Sequence, residues 1–188
     1  MITARTSTPC GRTERGLEFE RVEPKFIVDV NAGKLAKWLR MMGYDALLFN
    51  ELDDGRMVKT ALAEGRTIIT KDSEFIKRRA VVTGRVKAVL VAGDDPEKQM
   101  QTVIGKLKLA RDFKPFSRCL ECNAELQSRH QSQVKDSVPP RVFERHGEYM
   151  ECPVCRRIYW RGTHWESMDR KLQEFNSGGP GRSEGETP

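Results

Sequence analysis

Lys25-Phe26-Ile27-Val28-Asp29-Val30-Asn31-Ala32-Gly33-Lys34-Leu35-Ala36-Lys37-Trp38-Leu39-Arg40-Met41-Met42-Gly43 sets the architecture of the whole chain. Its first part, Phe26 to Val30, is an apolar run of strand length, rich in β-branched residues and broken by one carboxylate. A run without alternation suits a strand covered on both faces, as in a parallel sheet. The second part predicts a helix capped by Asn31, with Leu35, Trp38, Leu39 and Met42 at i, i+3, i+4 and i+7 and Gly43 as its stop. Lys34, Lys37 and Arg40 form a cationic stripe beside that apolar face. The unit places Asp29 at the carboxyl end of a buried strand, the edge where open α/β sheets bind ligands.

The same strand-then-helix pattern recurs downstream. Asp45 to Phe49 predicts a second strand, and the helix after Asp53-Asp54 carries Met57, Val58, Ala61 and Leu62 on one face before closing at Gly65. Thr67 to Thr70 predicts a third strand, followed by Lys71-Asp72 and a short helix over Ser73 to Arg79. Val86 to Val91 predicts a fourth, and Asp95-Pro96-Glu97 opens a helix reaching about Arg111. Four alternations argue an α/β class with a parallel, doubly wound sheet.

A length of 188 residues suits one ordinary domain and a small one. The polar residues 1–23 predict a flexible head, in which Leu17 and Phe19 could make a short edge strand. Residues 24–116 make the α/β domain, 117–166 a cysteine-bearing module, and 167–188 a helical end and a disordered tail. The net charge is +6, and residues 24–116, with 18 Lys and Arg against 12 Asp and Glu, supply the excess. A basic domain favours a polyanionic partner. No apolar run approaches the ~20 residues that span a bilayer, and the first residues hold no apolar leader, so a cytoplasmic location without membrane contact is expected.

Three acids take comparable places: Asp29 after the first strand, Asp54 opening the second helix, and Asp72 after the third strand. Strands of one right-handed βαβ series point the same way and gather these groups on one edge, with Glu74 close behind Asp72. Crowded carboxylates repel unless a cation neutralises them, and their oxygens suit Mg²⁺ or Mn²⁺. Such an ion would polarise a phosphate and activate a water, while Lys34, Lys37, Arg40 and Lys71 hold the neighbouring phosphates. Each acid also has a purely local reading: Asp29 as a turn residue, Asp53 or Asp54 as one helix cap, and Asp72 as the next.

Four of the five cysteines form two C-x-x-C pairs, Cys119/Cys122 and Cys152/Cys155, and Cys10 stands apart in the head as an unpaired thiol. Two such knuckles can supply four thiolates to a closed, structural Zn²⁺ site. Between them Val142 to Arg145 and Tyr149 to Glu151 are expected to pair as a hairpin across His146-Gly147. So small a module has too little core of its own, so metal binding would supply its stability. Arg156, Arg157, Tyr159, Trp160, Arg161, His164 and Trp165 interleave cations with rings. Two roles stand open for Tyr159 and Trp160, stacking on unpaired bases or packing the module against the first domain.

Phe26 to Asp29, Gly33 to Asp45, Asp54, and Glu64 to Asp72 together resemble the PIN-like ribonucleases. With the cysteine module, residues 25–166 resemble the Mut-seven C-terminal RNase domain family, in which a PIN-like domain precedes a zinc ribbon. The resemblance implies a three-layer PIN-like fold and metal-dependent (endo)ribonuclease activity on RNA, with Asp29, Asp54 and Asp72 as the catalytic metal site and Glu74 as a further ligand. Asp53 is the alternative to Asp54. Arg157 and Trp160 join the four cations as RNA contacts, and a protein partner or a second copy of the chain could complete the assembly. The contrasting reading is an RNA or ribosome adaptor that keeps the fold and does not cut. A phosphoacceptor domain would want an acidic pair after the first strand, where Val30 and Asn31 follow Asp29.

Overall fold

The computed structural model describes residues 23–51, 53–109 and 114–176. The expected head, its edge strand, Cys10, Arg111 and the tail beyond 176 lie outside these residues. Strand β1 (Lys25–Asp29) is followed by a single 3-10 turn over Val30–Ala32 and by helix α1 (Gly33–Met41). Strand β2 (Ala46–Phe49), helix α2 (Asp54–Glu64) and strand β3 (Arg66–Thr70) come next. Two short helices, α3 (Ser73–Ile76) and α4 (Arg79–Val82), lead to strand β4 (Ala88–Leu90) and helix α5 (Pro96–Leu107).

The four strands pair in parallel in the order β2-β1-β3-β4. Both faces are covered, as the unbroken apolar run of β1 requires. Phe26 and Val28 join Leu35, Leu39, Met100 and Val103 on one face, while Ile27 joins Met57, Ala61, Ile68 and Phe75 on the other. Alternate strand residues point to opposite sides, so a single strand feeds two cores. Phe26, Ile27 and Val28 are all fully buried, each worth ~1.5–3 kcal/mol over exposure.

Several local expectations change. Asn31 does not cap α1: it lies inside the 3-10 turn, whose N-cap is Asp29 accepting from the Asn31 amide. The expected helix over Ser73 to Arg79 divides into α3 and α4 around Lys77 and Arg78. The fourth strand is shorter than its apolar run, and α5 ends at Leu107 with Lys108 in the left-handed region. Gly65 ends α2 at φ 65° as expected. Gly43 has a φ of 97°, and a Cβ there would stand 2.6 Å from the Lys114 carbonyl. A side chain is therefore excluded where the chain after α5 returns to the end of α1.

The cysteine module contains strand β5 (Gln127–His130), helix α6 (Pro140–Arg145), strand β6 (Glu148–Glu151), strand β7 (Ile158–Trp160) and helix α7 (Thr163–Asn176). Its antiparallel sheet runs β5-β6-β7. The expected hairpin partner of β6 is therefore wrong. Val142 to Arg145 are helical, started by Pro140 in the first turn, and β5 takes the edge of β6 instead. Helix α7 leaves the module and returns to the first domain, where Leu172 joins the α1 core. No helix among the described residues is long and apolar enough to cross a membrane.

Candidate active edge and cysteine site

β1 and β3 are neighbours in the sheet although β2 lies between them in the chain, so strand order reverses between them. That switch point is where open α/β sheets bind ligands. Asp29 ends β1 and Thr70 ends β3. The buried Thr70 hydroxyl donates to Asp29 Oδ2 at 2.8 Å and accepts the Asp72 amide at 3.0 Å. Asp72 Oδ1 in turn accepts the Glu74 amide at 2.8 Å and caps α3. The local reading of Asp72 as a cap and its place on the acidic edge hold together.

At α2 the two aspartates divide the work. Asp53 is the cap, accepting from the Arg56 amide at 3.1 Å. Asp54 is released from capping and accepts from Arg78 Nη2 at 2.5 Å. Glu74 pairs with Lys77 at 2.6 Å on the surface. Asp94, beyond β4, pairs with Lys71 at 2.5 Å; that hydrogen bond, with Lys34 nearby, holds its carboxyl below the usual range.

The carboxylates are not drawn to one point. Among the described residues, only the four cysteines bring three or more possible ligand atoms within 4.8 Å of one another. Asp29 and Asp72 are coupled through Thr70, whereas Asp54 is held by a guanidinium. The donor set, hard oxygens at a switch point, suits Mg²⁺ or Mn²⁺ in kind; one oxygen of Asp54 is taken by Arg78.

The four expected cations have separate fates. Lys34 is exposed. Lys37 donates to Glu121 at 2.7 Å, and Lys71 is engaged by Asp94. Arg40 is not a phosphate contact: it is 4% exposed and donates to the carbonyls of Ala46, Leu120 and Glu121 at 2.8–2.9 Å. Its guanidinium joins α1 to the first cysteine knuckle, close to Cys119 and Cys122. The helix stripe carried no signal that its third member points inward.

In the knuckles, Cys119 and Cys152 are buried and Cys122 and Cys155 exposed. Sγ atoms stand 3.5 Å apart for Cys119 and Cys155 and 3.3 Å for Cys122 and Cys152. A tetrahedral ion with Zn–S bonds of ~2.3 Å has S···S edges of roughly 3.8 Å, so the cluster can hold one zinc ion. Each C-x-x-C turn ends in a left-handed residue, Asn123 at φ 68° and Arg156 at φ 61°. Burial raises the Cys119 thiol, but hydrogen bonds from the Tyr159 hydroxyl and the knuckle amides outweigh it and lower its pKa to about 6. Asn123 also anchors the first knuckle: its Nδ2 donates to Asp45 at 2.7 Å and its Oδ1 accepts the Ala46 amide at 3.0 Å.

Of the two expected ring-side contacts, Arg157 is exposed and lies 3.5 Å from Glu121, and Trp160 is half-buried at the end of β7. Thr70, Arg78 and Asn123 were missed as site or docking residues. Thr70 had one legible signal, a hydroxyl ending a buried strand just before Lys71-Asp72. Arg78 and Asn123 had none, because their partners are distant in the chain.

No curated protein and no solved structure matches the chain. Residues 24–172, spanning both the parallel sheet and the cysteine module, match the family described as Mut7-C RNAse domain. The chain belongs to the Mut7-C RNAse domain family, a ribonuclease family by description.

Proposed function

We propose that this protein is a divalent-cation-dependent ribonuclease of PIN-like type, hydrolysing RNA phosphodiester bonds at the carboxyl edge of its parallel sheet. The supporting observation is the Asp29–Thr70–Asp72 hydrogen-bond chain at the switch point of a ribonuclease-family fold. Asp29, Asp54 and Asp72 are the catalytic acids, with Glu74 as a further ligand. A bound Mg²⁺ or Mn²⁺ would supply the charge that polarises the phosphate and acidifies the attacking water. Thr70 orients Asp29 by donating to it and fixes Asp72 through its amide. Arg78 balances Asp54 until that carboxylate is needed for the cation, and its guanidinium is then placed to meet phosphate oxygens. Lys34 and Lys71 add positive charge beside the edge. The zinc-bound module packs on α1 and aids RNA or partner binding.

Asp72→Asn tests the reading directly. Asn caps helices about as well as Asp, so the variant should melt with the parent yet lose Mg²⁺- or Mn²⁺-dependent cleavage of single-stranded RNA. Cleavage at the parent rate would reject the assignment. A non-cutting RNA adaptor is the second reading, favoured by the Arg78–Asp54 pair, which occupies one acid. It expects salt-sensitive RNA binding without cleavage in any divalent ion.

A further inference from the structure

A cavity of about 280 Å³ opens where β7, the start of α7 and the end of α1 meet. Met41, Phe116, Arg118, Tyr159, Trp160 and Trp165 form part of its wall. A second cavity adjoins it, sharing Met41, Leu120 and Met168 and adding Lys37, Trp38 and Lys171. All three tryptophans of the chain thus border these two adjoining cavities. The first cavity, at about 280 Å³, falls just below the ~300–1,000 Å³ range of ligand sites, room for one flat ring system.

The polar lining argues for an anionic ligand. The charged side chains in the two walls are Arg118, Lys37 and Lys171, with no carboxylate among them. Their acidic partners Glu125, Glu121 and Glu97 lie outside the lining. These partly exposed pairs are weak enough for a phosphate to displace the carboxylate, whereas an apolar helix of a protein partner would use the rings alone. A nucleotide uses both, the base on the rings and the phosphates on the cations.

One face of α1 runs from the active edge to the cavities. Lys34, Lys37 and Met41 lie at i, i+3 and i+7, on one face of that helix. Lys34 is near Asp94 at the edge, Lys37 borders the second cavity and Met41 borders both. With a rise of ~1.5 Å per residue, Lys34 and Met41 are roughly 10 Å apart along the axis. That is about three stacked nucleotides at ~3.4 Å each.

We infer that the cavity between Trp160 and Trp165 binds one unpaired base of single-stranded RNA, about three nucleotides from the bond at the acidic edge. The site sets where the strand lies, and so the distance from the held base to the cut. This rests on RNA being the substrate of the acidic edge.

Binding of a short unstructured oligoribonucleotide to the full-length Asp72→Asn protein tests it, with abasic nucleotides introduced one position at a time. One position should be sensitive, its loss weakening affinity about 5- to 150-fold, the equivalent of ~1–3 kcal/mol per stacked base. Trp160→Ala should weaken the intact strand similarly and abolish the abasic penalty, and Trp160→Phe should restore both. Thr163→Glu supplies a second variant, since an acid in the first turn of α7 suits the helix while adding negative charge to the cavity wall. It should weaken RNA binding without lowering the melting temperature. A flat abasic scan, or unchanged RNA affinity in Thr163→Glu, overturns the inference. Active protein cutting RNA with a flat scan defeats the base site alone; a sensitive position in a protein that never cuts defeats the nuclease reading alone.

Discussion

The Thr70 hydroxyl bonds Asp29 across two neighbouring parallel strands at 2.8 Å. A single buried oxygen, 41 residues from Asp29 in the chain, thereby aligns the acid at the end of β1 with the backbone of Asp72 in a different βα unit.

Thr70→Val keeps the shape and removes both bonds. The part-buried Asp72 amide and Asp29 lose a partner, which costs about 1 kcal/mol in stability. Cleavage should fall roughly 10- to 100-fold through misplaced acids, and Thr70→Ser should recover most of it. Denaturant titration beside single-turnover cleavage separates the two effects.

Arg78→Gln frees Asp54 from its guanidinium. The pair is partly exposed, with side chains 45% and 39% accessible, so stability should change by under ~1 kcal/mol. Removing the competing charge should tighten Mn²⁺ binding by a few-fold, read by calorimetry on protein already loaded with zinc. Weaker Mn²⁺ binding would show that Arg78 supports the acids rather than competing for one.

Arg40→Met strips three carbonyls of their donor. A loss of ~2–4 kcal/mol is expected from charge-assisted bonds broken in a buried setting. The salt dependence of RNA binding should keep its slope, since a lost phosphate contact would reduce it by about 1. A shallower slope would restore Arg40 to the phosphate-binding set.

Chelation of zinc should unfold the cysteine module, which has only the small cluster of Val134, Val138 and Tyr149 as its buried core. Arg40 and Asn123 tie the first knuckle to α1 and β2, so the first domain should also melt at a lower temperature. An unshifted melting transition after zinc loss would mean the two units are independent.

Asp45 gives a pH dependence of known sign. Burial raises its pKa, but hydrogen bonds from Arg66 and Asn123 outweigh that, and the folded value lies below the ordinary 3.8. A depressed carboxylate contributes stability above its unfolded pKa and loses it as pH falls through the folded one. Acid unfolding below about pH 4 should therefore be less steep in Asp45→Asn. Identical acid limbs for the two proteins would remove Asp45 from the account.

The β1–α1 unit, the four strand–helix alternations and the paired cysteines were legible in the linear chain. Each depends on backbone geometry repeating within a few residues: strand burial, a 3.6-residue period, or the reach of a C-x-x-C turn. The helical Val142 to Arg145 escaped because a short apolar run fits either periodicity, and Pro140 and the pairing edge of β6 settled it.

The partners of individual polar groups belong to another level. Arg40 and Lys37 sit three residues apart on one helix, yet one is buried under the knuckle and the other exposed at its rim. Asp53 and Asp54 are adjacent, and only the approach of Arg78, 24 residues on, separates cap from candidate ligand. Periodicity places a residue on a side of its element; what packs against that side, and which donor then reaches it, follows from how distant segments are stacked.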